Sequence, residues 1–403
     1  MEDVQHTGHS NKGATSSSFV SFMGPLFFLV GLFFINFLSR IILSPLMPTM
    51  EKDLKIGHDQ AGSLFFFVSL GYCFGMLTSG FISSRLMHRR TIILSSFAVG
   101  GALLSVSFCD DLWGIRVGLL IMGMAAGCYL PSGIETLTKL VPPWHLGRAL
   151  AIHELAPNLG FIIAPILVEV LLKWGSWHRV LTLTGLISLG MGSIFLLWGK
   201  GGKFSGEAPN LKILRNIVKE PSFWVLVFFF SLGVGSTAGV YLILPLYLVA
   251  EKGMDQTLAN TLLALSRIGI LATIFLTGWV TDRLGVKNTL KAVFLTSGLA
   301  TAMIGIVSGS WLVWLIFLQP LLAAYFFPAG FVALTKIKSP HLKKVAVSLT
   351  VPTGYFIGGG VVTAGLGVLG EAGLFSVGFI IFGSLLFIGG LLTKYLALSD
   401  DEK

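Results

Sequence analysis

The chain has 403 residues, of which 54% are hydrophobic and only 12% are charged. A water-soluble protein carries about 25% charged residues, so this composition excludes water as the main solvent of the chain. The formal net charge is +9, and because the basic residues are sorted among loops, the excess indicates membrane topology and not a nucleic-acid partner.

Apolar stretches long enough to cross a bilayer, about 20 residues each, recur along the chain with short breaks. Backbone polar groups in lipid must be satisfied within each segment, and the stretches lack the two-residue alternation of barrel strands. The sequence therefore predicts an all-α membrane protein with twelve transmembrane helices. The predicted spans are 22–46, 59–83, 91–109, 112–138, 149–172, 179–199, 222–249, 259–281, 290–308, 311–335, 344–369 and 372–396.

These spans divide the chain into five predicted parts. A polar cytoplasmic tail, 1–21, precedes the first span, and it lacks the basic region of a cleavable signal peptide. Two six-helix bundles, 22–199 and 222–396, are joined by a cytoplasmic linker, 200–221, that contains Gly, Pro, Lys and Glu. A second cytoplasmic tail, 397–403, ends the chain.

Basic residues are concentrated on alternate loops. One set of loops holds Arg85, Arg89, Arg90, Lys139, Arg148, Lys200, Lys203, Lys212, Arg215, Lys219, Arg283, Lys287, Lys291, Lys336, Lys338, Lys343 and Lys344. The other set holds Lys52, Lys55, Lys173, Arg179 and Lys252, with Arg116 at a helix edge. The positive-inside rule then predicts that both termini lie in the cytoplasm. We expect a multi-pass protein of the plasma (inner) membrane.

Two sequence correspondences indicate an internal duplication. The segment from Gly80 to Arg85 matches the segment from Gly278 to Arg283, and Pro45-Leu46 matches Pro245-Leu246. The offsets are 198 and 200 residues, close to half the chain. A nearly constant offset at two places favours duplication over chance.

Over nearly its whole length the chain resembles the major facilitator superfamily, whose loop motif G-x-x-x-D-R-x-G is repeated in each half. Gly278, Asp282, Arg283 and Gly285 fit the motif, whereas the first copy has Ser84 where the acid belongs. The resemblance implies two pseudo-symmetric six-helix bundles, alternating access and a monomer. It also implies a cytoplasmic gate formed by Gly80, Arg85, Arg89, Gly278, Asp282 and Arg283.

Within that superfamily, the segment Asn36-Phe-Leu-Ser-Arg40, followed by Leu43-Ser-Pro45 and Met47-Pro48, is similar to the anion:cation symporter branch. A first-span arginine of that branch faces the central cavity and binds a carboxylate or a phosphate. The resemblance implies this part for Arg40. Ser39 stands where the branch has an acidic residue.

Charged side chains inside spans need a reason, since each costs at least ~2.5 kcal/mol on insertion scales. Arg40 and Arg267 lie in opposite halves at similar predicted depth. Guanidinium groups bind carboxylate, phosphate or sulfonate oxygens in pairs, so two arginines converging on a cavity would form an anion clamp. In the alternative interpretation, each arginine reaches outward to the headgroups or pairs with an internal acid.

Proton coupling requires a titratable group that the membrane interior shifts toward neutral pH. The candidates are Glu154, His153 and Glu135, and Glu154 is favoured as the carrier. Glu154 shares a helix face with Asn158, whereas His153 aligns with Pro157, so the two neighbours cannot both point at one spot. Alternatively, Glu135 pairs with Lys139 and His153 meets the headgroups.

Polar side chains elsewhere in the spans either orient a substrate or bridge helices. The candidates to line the binding site are Asn36, Tyr72, Asn158, Tyr241, Gln319, Tyr325 and Tyr355. No cofactor is predicted, because the three cysteines have no metal or disulfide spacing and no phosphate-binding loop is present. An ion gradient or exchange must therefore drive transport.

Three functions remain open on the sequence alone. The favoured one is proton-coupled symport of a small organic anion, most simply a carboxylate, by a secondary active transporter. The second is an efflux antiporter for amphipathic or cationic compounds, which would need an acidic, aromatic cavity. The third is a membrane enzyme or sensor, but the sequence contains no catalytic motif such as H-E-x-x-H or G-x-S-x-G.

Overall fold

The computed structural model describes residues 19–210, 215–337 and 346–396, together with Leu398. Most of the predicted N-terminal tail, four residues of the predicted linker and most of the predicted C-terminal tail lie outside the described residues. So do the first two residues of the predicted eleventh span. The basic loop residues outside the description are Lys212, Lys338, Lys343 and Lys344.

The described residues form twelve membrane-spanning segments, which confirms the predicted fold class. Ten continuous helices are long and apolar enough to cross a membrane, and an eleventh, Gln256–Leu284, is bent by 58°. The helix His58–Val106 counts twice, because it is 49 residues long and Met87 interrupts it with a non-helical conformation. The spans are α1 Val20–Leu54, α2 58–86, α3 88–106, α4 Leu112–Leu140, α5 Pro143–Leu172, α6 Trp177–Trp198, α7 Pro221–Ala250, α8 Gln256–Leu284, α9 Val286–Ile306, α10 Ser310–Thr335, α11 Val347–Glu371 and α12 Phe375–Tyr395.

Helix ends differ from the predicted ends where polar residues continue a helix. Helix α1 extends beyond the predicted residue 46 to Leu54, and it ends because Lys55 adopts a left-handed conformation with φ 54°. Helix α5 begins at Pro143 instead of residue 149. Proline suits the first helical turn, where its missing N–H costs nothing. Apolar content marks the membrane core but does not mark where a helix stops.

The duplication is visible in the backbone at the turn after α2 and at the turn after α8. Met87 has φ 70° and ψ 155°, and Gly285 has φ 76° and ψ 157°. The two positions are 198 residues apart, the same offset as the two motif copies. The same turn has therefore been kept although one copy has lost its glycine.

Helices α7 and α11 cross in close backbone contact where each contains a π-helical segment, Gly235–Gly239 and Phe356–Val361. A Cβ atom on Gly239 would lie 2.4 Å from the carbonyl oxygen of Gly358. Only glycine permits this approach, as is common between membrane helices. The contact lies beside the cavity described below.

Helix α1 begins and α12 ends on one side of the molecule, here the terminal face, and the opposite side is the distal face. Several hydrogen bonds join the first six spans to the last six near the distal face. The Gln256 side chain donates to the Pro45 carbonyl at 3.1 Å, and the His58 amide donates to Glu371 Oε2 at 2.7 Å. The Asn260 amide donates to Glu169 Oε1 at 2.6 Å. These bonds hold the two halves together at the distal face.

Candidate functional site

A cavity lies between α1, α2, α7 and α11, where the first six spans meet the last six. Its empty space is ≈ 440 Å³ when the open solvent at its mouth is included, and ≈ 30 Å³ is accessible to the centre of a water molecule in this conformation. Most of its walls are apolar, with one charged side chain among them. The lining residues are Phe37, Arg40, Ile41, Phe65, Val68, Ser69, Tyr72, Ala238, Leu242, Tyr355 and Gly359.

Arg40 is the charged residue of this cavity, and only 8% of it is exposed. Its guanidinium carbon lies 3.9 Å from the centre of the Tyr72 ring and 5.0 Å from that of Phe37. Arg40 forms no ion pair with a described residue, and its buried Nε has no hydrogen-bond partner. Aromatic faces offset part of the cost of burying a cation, but they leave its N–H donors unsatisfied. The arrangement therefore favours an anion in the cavity.

Three hydroxyl groups accompany Arg40 in the cavity wall: those of Ser69, Tyr72 and Tyr355. None of them forms a hydrogen bond with a described residue, and the rings of Tyr72 and Tyr355 pack at 5.8 Å. The sequence predicted the two tyrosines but missed Ser69 and Phe65. Both precede Tyr72 on one helix face at spacings of three and seven residues, so helical periodicity was the available signal.

Arg267 is buried with 5% exposure but does not line this cavity. It donates to the Thr237 carbonyl at 3.2 Å and lies 4.8 Å from the centre of the Phe161 ring and 4.9 Å from that of Tyr241. The Tyr241 hydroxyl is occupied, since it donates to the Phe161 carbonyl at 3.1 Å. In this conformation the two arginines do not converge as the predicted clamp, because Arg267 packs among α5 and α7 side chains.

Glu154 occupies a break in α5 between two helical segments that end at His153 and begin at Leu155. Its side chain is 52% exposed, and its carboxylate lies within electrostatic range of the Tyr72, Tyr129 and Tyr355 hydroxyls. Glu154 therefore faces the space between the halves. That space is open where Glu154 borders it.

His153 is fully buried beside Glu154. Its Nδ1 lies 3.6 Å from Glu154 Oε1, so the prediction that these neighbours point apart is wrong for these atoms. The two side-chain ends approach each other although Glu154 keeps a right-handed helical conformation, with φ −73° and ψ −6°. Glu135 is exposed on α4 and interacts electrostatically with His88, while Lys139 stacks on the Phe204 ring at 3.7 Å.

Other predicted lining residues bridge helices. The Asn36 amide donates to the Ala126 carbonyl at 3.1 Å, and the Gln319 amide donates to the Ser236 carbonyl at 2.8 Å. Asn158 donates to the Glu154 carbonyl within its own helix at 2.9 Å. Tyr325 is half-buried at a break in α10. No group of three His, Cys, Asp or Glu side chains in the described segments is close enough to hold a metal ion.

The predicted gate residues are split between two environments on the terminal face. Arg89 donates from its guanidinium to the carbonyls of Phe195, Leu196 and Gly199, at the end of α6. A Cβ atom on Gly80 would lie 2.9 Å from Pro209, in the segment that follows α6. These contacts tie the first motif copy to the predicted linker.

The second motif copy makes fewer contacts. Arg283 stacks on the Trp279 ring at 4.7 Å, and Gly278 has no neighbour within 4 Å of an added Cβ. Neither Arg85 nor Asp282 forms an ion pair with a residue that the structure describes. In this conformation the two copies are therefore not joined by those charges.

Comparisons with known proteins agree with this architecture. A family model described as Major Facilitator Superfamily matches residues 29–268 and 235–403. A probable sulfoacetate transporter of Cupriavidus necator, SauU, is 23% identical over 92% of this chain and 94% of its own length. A gallate transporter of Pseudomonas putida is 22% identical over 66% of this chain and 67% of its own.

Solved structures give the same architecture. A crystal structure of the nucleoside transporter NupG superimposes with a TM-score of 0.78 at 15% sequence identity. The superposition covers 93% of this chain and 99% of that one. At this level of identity the likeness shows the fold alone.

Proposed function

We propose, since the chain belongs to the major facilitator superfamily, that it is a secondary active transporter that moves a small organic anion, most simply a carboxylate. The observation that carries the proposal is Arg40, a buried guanidinium in a central cavity without a carboxylate of its own. The names of two relatives, a sulfoacetate and a gallate transporter, support the same class of substrate. Both compounds carry an acid group that a guanidinium binds.

The substrate acid group binds to the free N–H donors of Arg40. Charge-assisted hydrogen bonds of this kind are strong in a cavity from which most water is excluded. The hydroxyls of Ser69, Tyr72 and Tyr355 then bind further polar groups of the substrate. The apolar walls contact its carbon skeleton, so the acid group sets the orientation.

Glu154 is the proton carrier of the proposed symport. Tyr72 and Tyr355 interact electrostatically with both Arg40 and Glu154. An anion bound at Arg40 adds negative charge near Glu154, which favours protonation of its carboxylate. By linkage, a proton on Glu154 favours binding of the anion to the same extent, and this reciprocity couples the two movements.

Alternating access exposes the site to one side at a time. With both termini in the cytoplasm, as the distribution of basic residues predicts, the distal face is extracellular. The hydrogen bonds near the distal face and the exposed Glu154 then describe a state closed to the outside and open toward the cytoplasm. In the opposite state, the loops carrying Arg85 and Asp282 approach each other and close the cytoplasmic side.

The test is uptake into liposomes that contain the purified chain, with an imposed pH gradient. The three radiolabelled probes are gallate, glycerol 3-phosphate and sulfoacetate, one from each class of acid. Arg40→Ala is expected to raise KM for a transported probe about 10- to 150-fold, because a charge-assisted hydrogen bond contributes about 1.5–3 kcal/mol. Arg40→Lys keeps the charge but not the paired donors, so its KM lies between those of the wild type and Arg40→Ala.

The matched control is Arg116→Ala. Arg116 is a half-buried arginine of the same half that donates to Ser63 at 3.0 Å and does not line the cavity. Uptake by this variant is expected to stay within about twofold of the wild type. Equal uptake by Arg40→Ala and the wild type for all three probes would contradict the proposal. Expulsion of tetraphenylphosphonium without uptake of any acid would instead support the efflux antiporter.

A further inference from the structure

His153 and Glu154 form a pair at the break in α5, and the surroundings of His153 fix how its ring is protonated. The ring is fully buried and stacks on Phe33, with ring centres 4.5 Å apart and planes 9° apart. Its Nε2 faces the Tyr129 hydroxyl oxygen at 3.3 Å. Its Nδ1 is buried and has no hydrogen-bond partner.

The Tyr129 hydroxyl determines the tautomer of His153. This hydroxyl donates its only proton to the Leu29 carbonyl, at 2.7 Å. Its oxygen can therefore only accept from His153, so Nε2 carries a proton. A neutral imidazole with a proton on Nε2 has a lone pair on Nδ1, and that lone pair faces Glu154 Oε1 at 3.6 Å.

At 3.6 Å the two atoms are beyond hydrogen-bond distance, but an Nδ1 that carries a proton would form an ion pair with the Glu154 carboxylate. We infer that His153 binds the proton at Nδ1 as an ion pair with the Glu154 carboxylate, and that Tyr129 is the positioning residue that keeps Nδ1 available. Binding takes one proton from water and release returns it to water, with no other bond made or broken. The inference deepens the proposed proton coupling and rests on it for the role in transport.

The two side chains of this pair differ in exposure, so the pair exchanges its proton with water on one side. His153 is sealed among Phe33 and Tyr129, whereas the Glu154 side chain is 52% exposed and reaches the space between the halves. Of these two described side chains, Glu154 is therefore the one that water reaches. The other charged or titratable groups on helices packed against α5, or near its cavity side, are Arg40, Glu51, Lys52, Asp53, Tyr72, Glu135, Lys139, His178, Arg179, Arg267, Asp282, Arg283 and Tyr355, with His145, Arg148 and Glu169 on α5 itself.

Anion binding at Arg40 acts on this pair through Glu154, since Tyr72 and Tyr355 lie within range of both charges. Without the proton the pair carries one negative charge, and with the proton it is neutral. The protonated pair is thus the form that an incoming anion favours. The deprotonated pair repels an anion, which is the condition for releasing it.

The direct test needs no substrate: solid-state nuclear magnetic resonance of protein labelled with ¹⁵N-histidine, in lipid, across a pH series. The signals of His153 are identified by their loss in His153→Gln. We expect a protonated Nε2 at every pH and an Nδ1 that gains a proton as the pH falls. Glu154→Gln is expected to reduce the protonated fraction of Nδ1, because the carboxylate charge is gone.

Tyr129→Phe tests the positioning role. Removing the hydroxyl is expected to give a mixture of Nδ1–H and Nε2–H tautomers and to change the pH at which the ring charges. The control is Tyr247→Phe, which removes another buried hydroxyl that donates to a carbonyl, that of Ile304 at 2.8 Å. It should leave the His153 signals unchanged. A wild-type His153 with Nδ1 protonated and Nε2 unprotonated, or a Tyr129→Phe spectrum equal to that of the wild type, would overturn the inference.

Transport separates this inference from the proposed function. With gallate, glycerol 3-phosphate and sulfoacetate as probes, His153→Gln is expected to lose accumulation driven by a pH gradient about tenfold, whereas counterflow exchange persists. His178→Gln is the control, since His178 belongs to an exposed histidine–carboxylate pair with Asp110 at 3.2 Å. If accumulation by the wild type does not depend on the pH gradient, the proposed proton coupling is refuted. If the pH gradient drives the same accumulation in the wild type and in His153→Gln, only the role of His153 in binding the proton is refuted.

Discussion

At the scale of single residues, Arg40 illustrates what burial does to a charge. A guanidinium at 8% exposure has lost most of its hydration, and the Tyr72 and Phe37 rings replace only part of it. Arg267 is as deeply buried, but one of its N–H groups donates a hydrogen bond to the Thr237 carbonyl. Two arginines that look equivalent in the sequence therefore have different surroundings, and only Arg40 lines the cavity.

Met87 provides a prediction about stability at the residue scale. Its φ of 70° and ψ of 155° lie in a region that only glycine adopts without strain, and other residues lose about 1–3 kcal/mol there. We expect Met87→Gly to raise the free energy of unfolding by about 1 kcal/mol and the Tm by a few degrees. Differential scanning fluorimetry in detergent measures the change.

Gly285 is the matched position in the second half, with the same backbone angles and nothing within 4 Å of an added Cβ. Gly285→Met should lower the Tm, because it introduces the strain that Met87→Gly removes. Equal Tm values for the wild type and both variants would show that the turn relaxes freely, and the explanation by strain would be wrong.

At the scale of helices, glycines set how closely α2 and α11 approach at the distal face. A Cβ atom on Gly367 would lie 2.5 Å from the His58 carbonyl oxygen, and one on Gly62 would lie 3.2 Å from the Gly367 Cα. Helices in lipid associate through such close contacts, since lipid offers no hydrophobic driving force. The closed distal face therefore depends on the lack of side chains at Gly62 and Gly367 as much as on the hydrogen bond from His58 to Glu371.

Gly367→Ala is expected to separate α2 from α11 and to open the distal face. The backbone oxygen of His58 cannot move without its helix, so the helices must shift by roughly 1 Å. The measurement is labelling of a cavity reporter, Ser69→Cys, by a membrane-impermeant maleimide applied from the distal side, in a Cys109→Ser background. We expect faster labelling than in the parent.

Gly365→Ala is the control, because Gly365 lies on the same helix, is exposed and has nothing within 4 Å of an added Cβ. Its labelling rate should equal that of the parent. If Gly367→Ala labels no faster than Gly365→Ala, the glycine contact does not limit opening.

At the scale of the whole molecule, the two halves must separate at the distal face for the site to open there. The Thr49 and Gln256 side chains join α1 to α8 across the halves at 2.9 Å. Within the first half, the Ser63 and Arg116 side chains join α2 to α4 at 3.0 Å. Alternating access by rigid bundles changes the first of these distances and preserves the second.

Cross-linking distinguishes these two contacts. We expect that Thr49→Cys with Gln256→Cys, joined by a short bifunctional thiosulfonate, loses uptake and regains it on reduction, because the link holds the distal face closed. Ser63→Cys with Arg116→Cys, joined in the same way, should retain its uptake. Full uptake by the cross-linked Thr49 and Gln256 pair would contradict rocking of the halves about the cavity.

The sequence by itself determined the fold class and the twelve spans, because hydropathy and length are local properties of a chain in lipid. It also singled out Arg40, Tyr72 and Tyr355, which the tertiary structure brings to one cavity. The paired motifs indicated the duplication, and the equal backbone angles at Met87 and Gly285 agree with it.

Only the tertiary structure decided which polar side chains meet. Asn36 and Gln319 bridge helices and Arg89 holds the end of α6, although each had been predicted to act in binding or gating. The approach of His153 Nδ1 to within 3.6 Å of Glu154 Oε1 is set by side-chain conformation, which helical periodicity does not give. The physical reason is that a side chain's partner depends on how helices rotate and cross, and packing between distant segments sets this rotation.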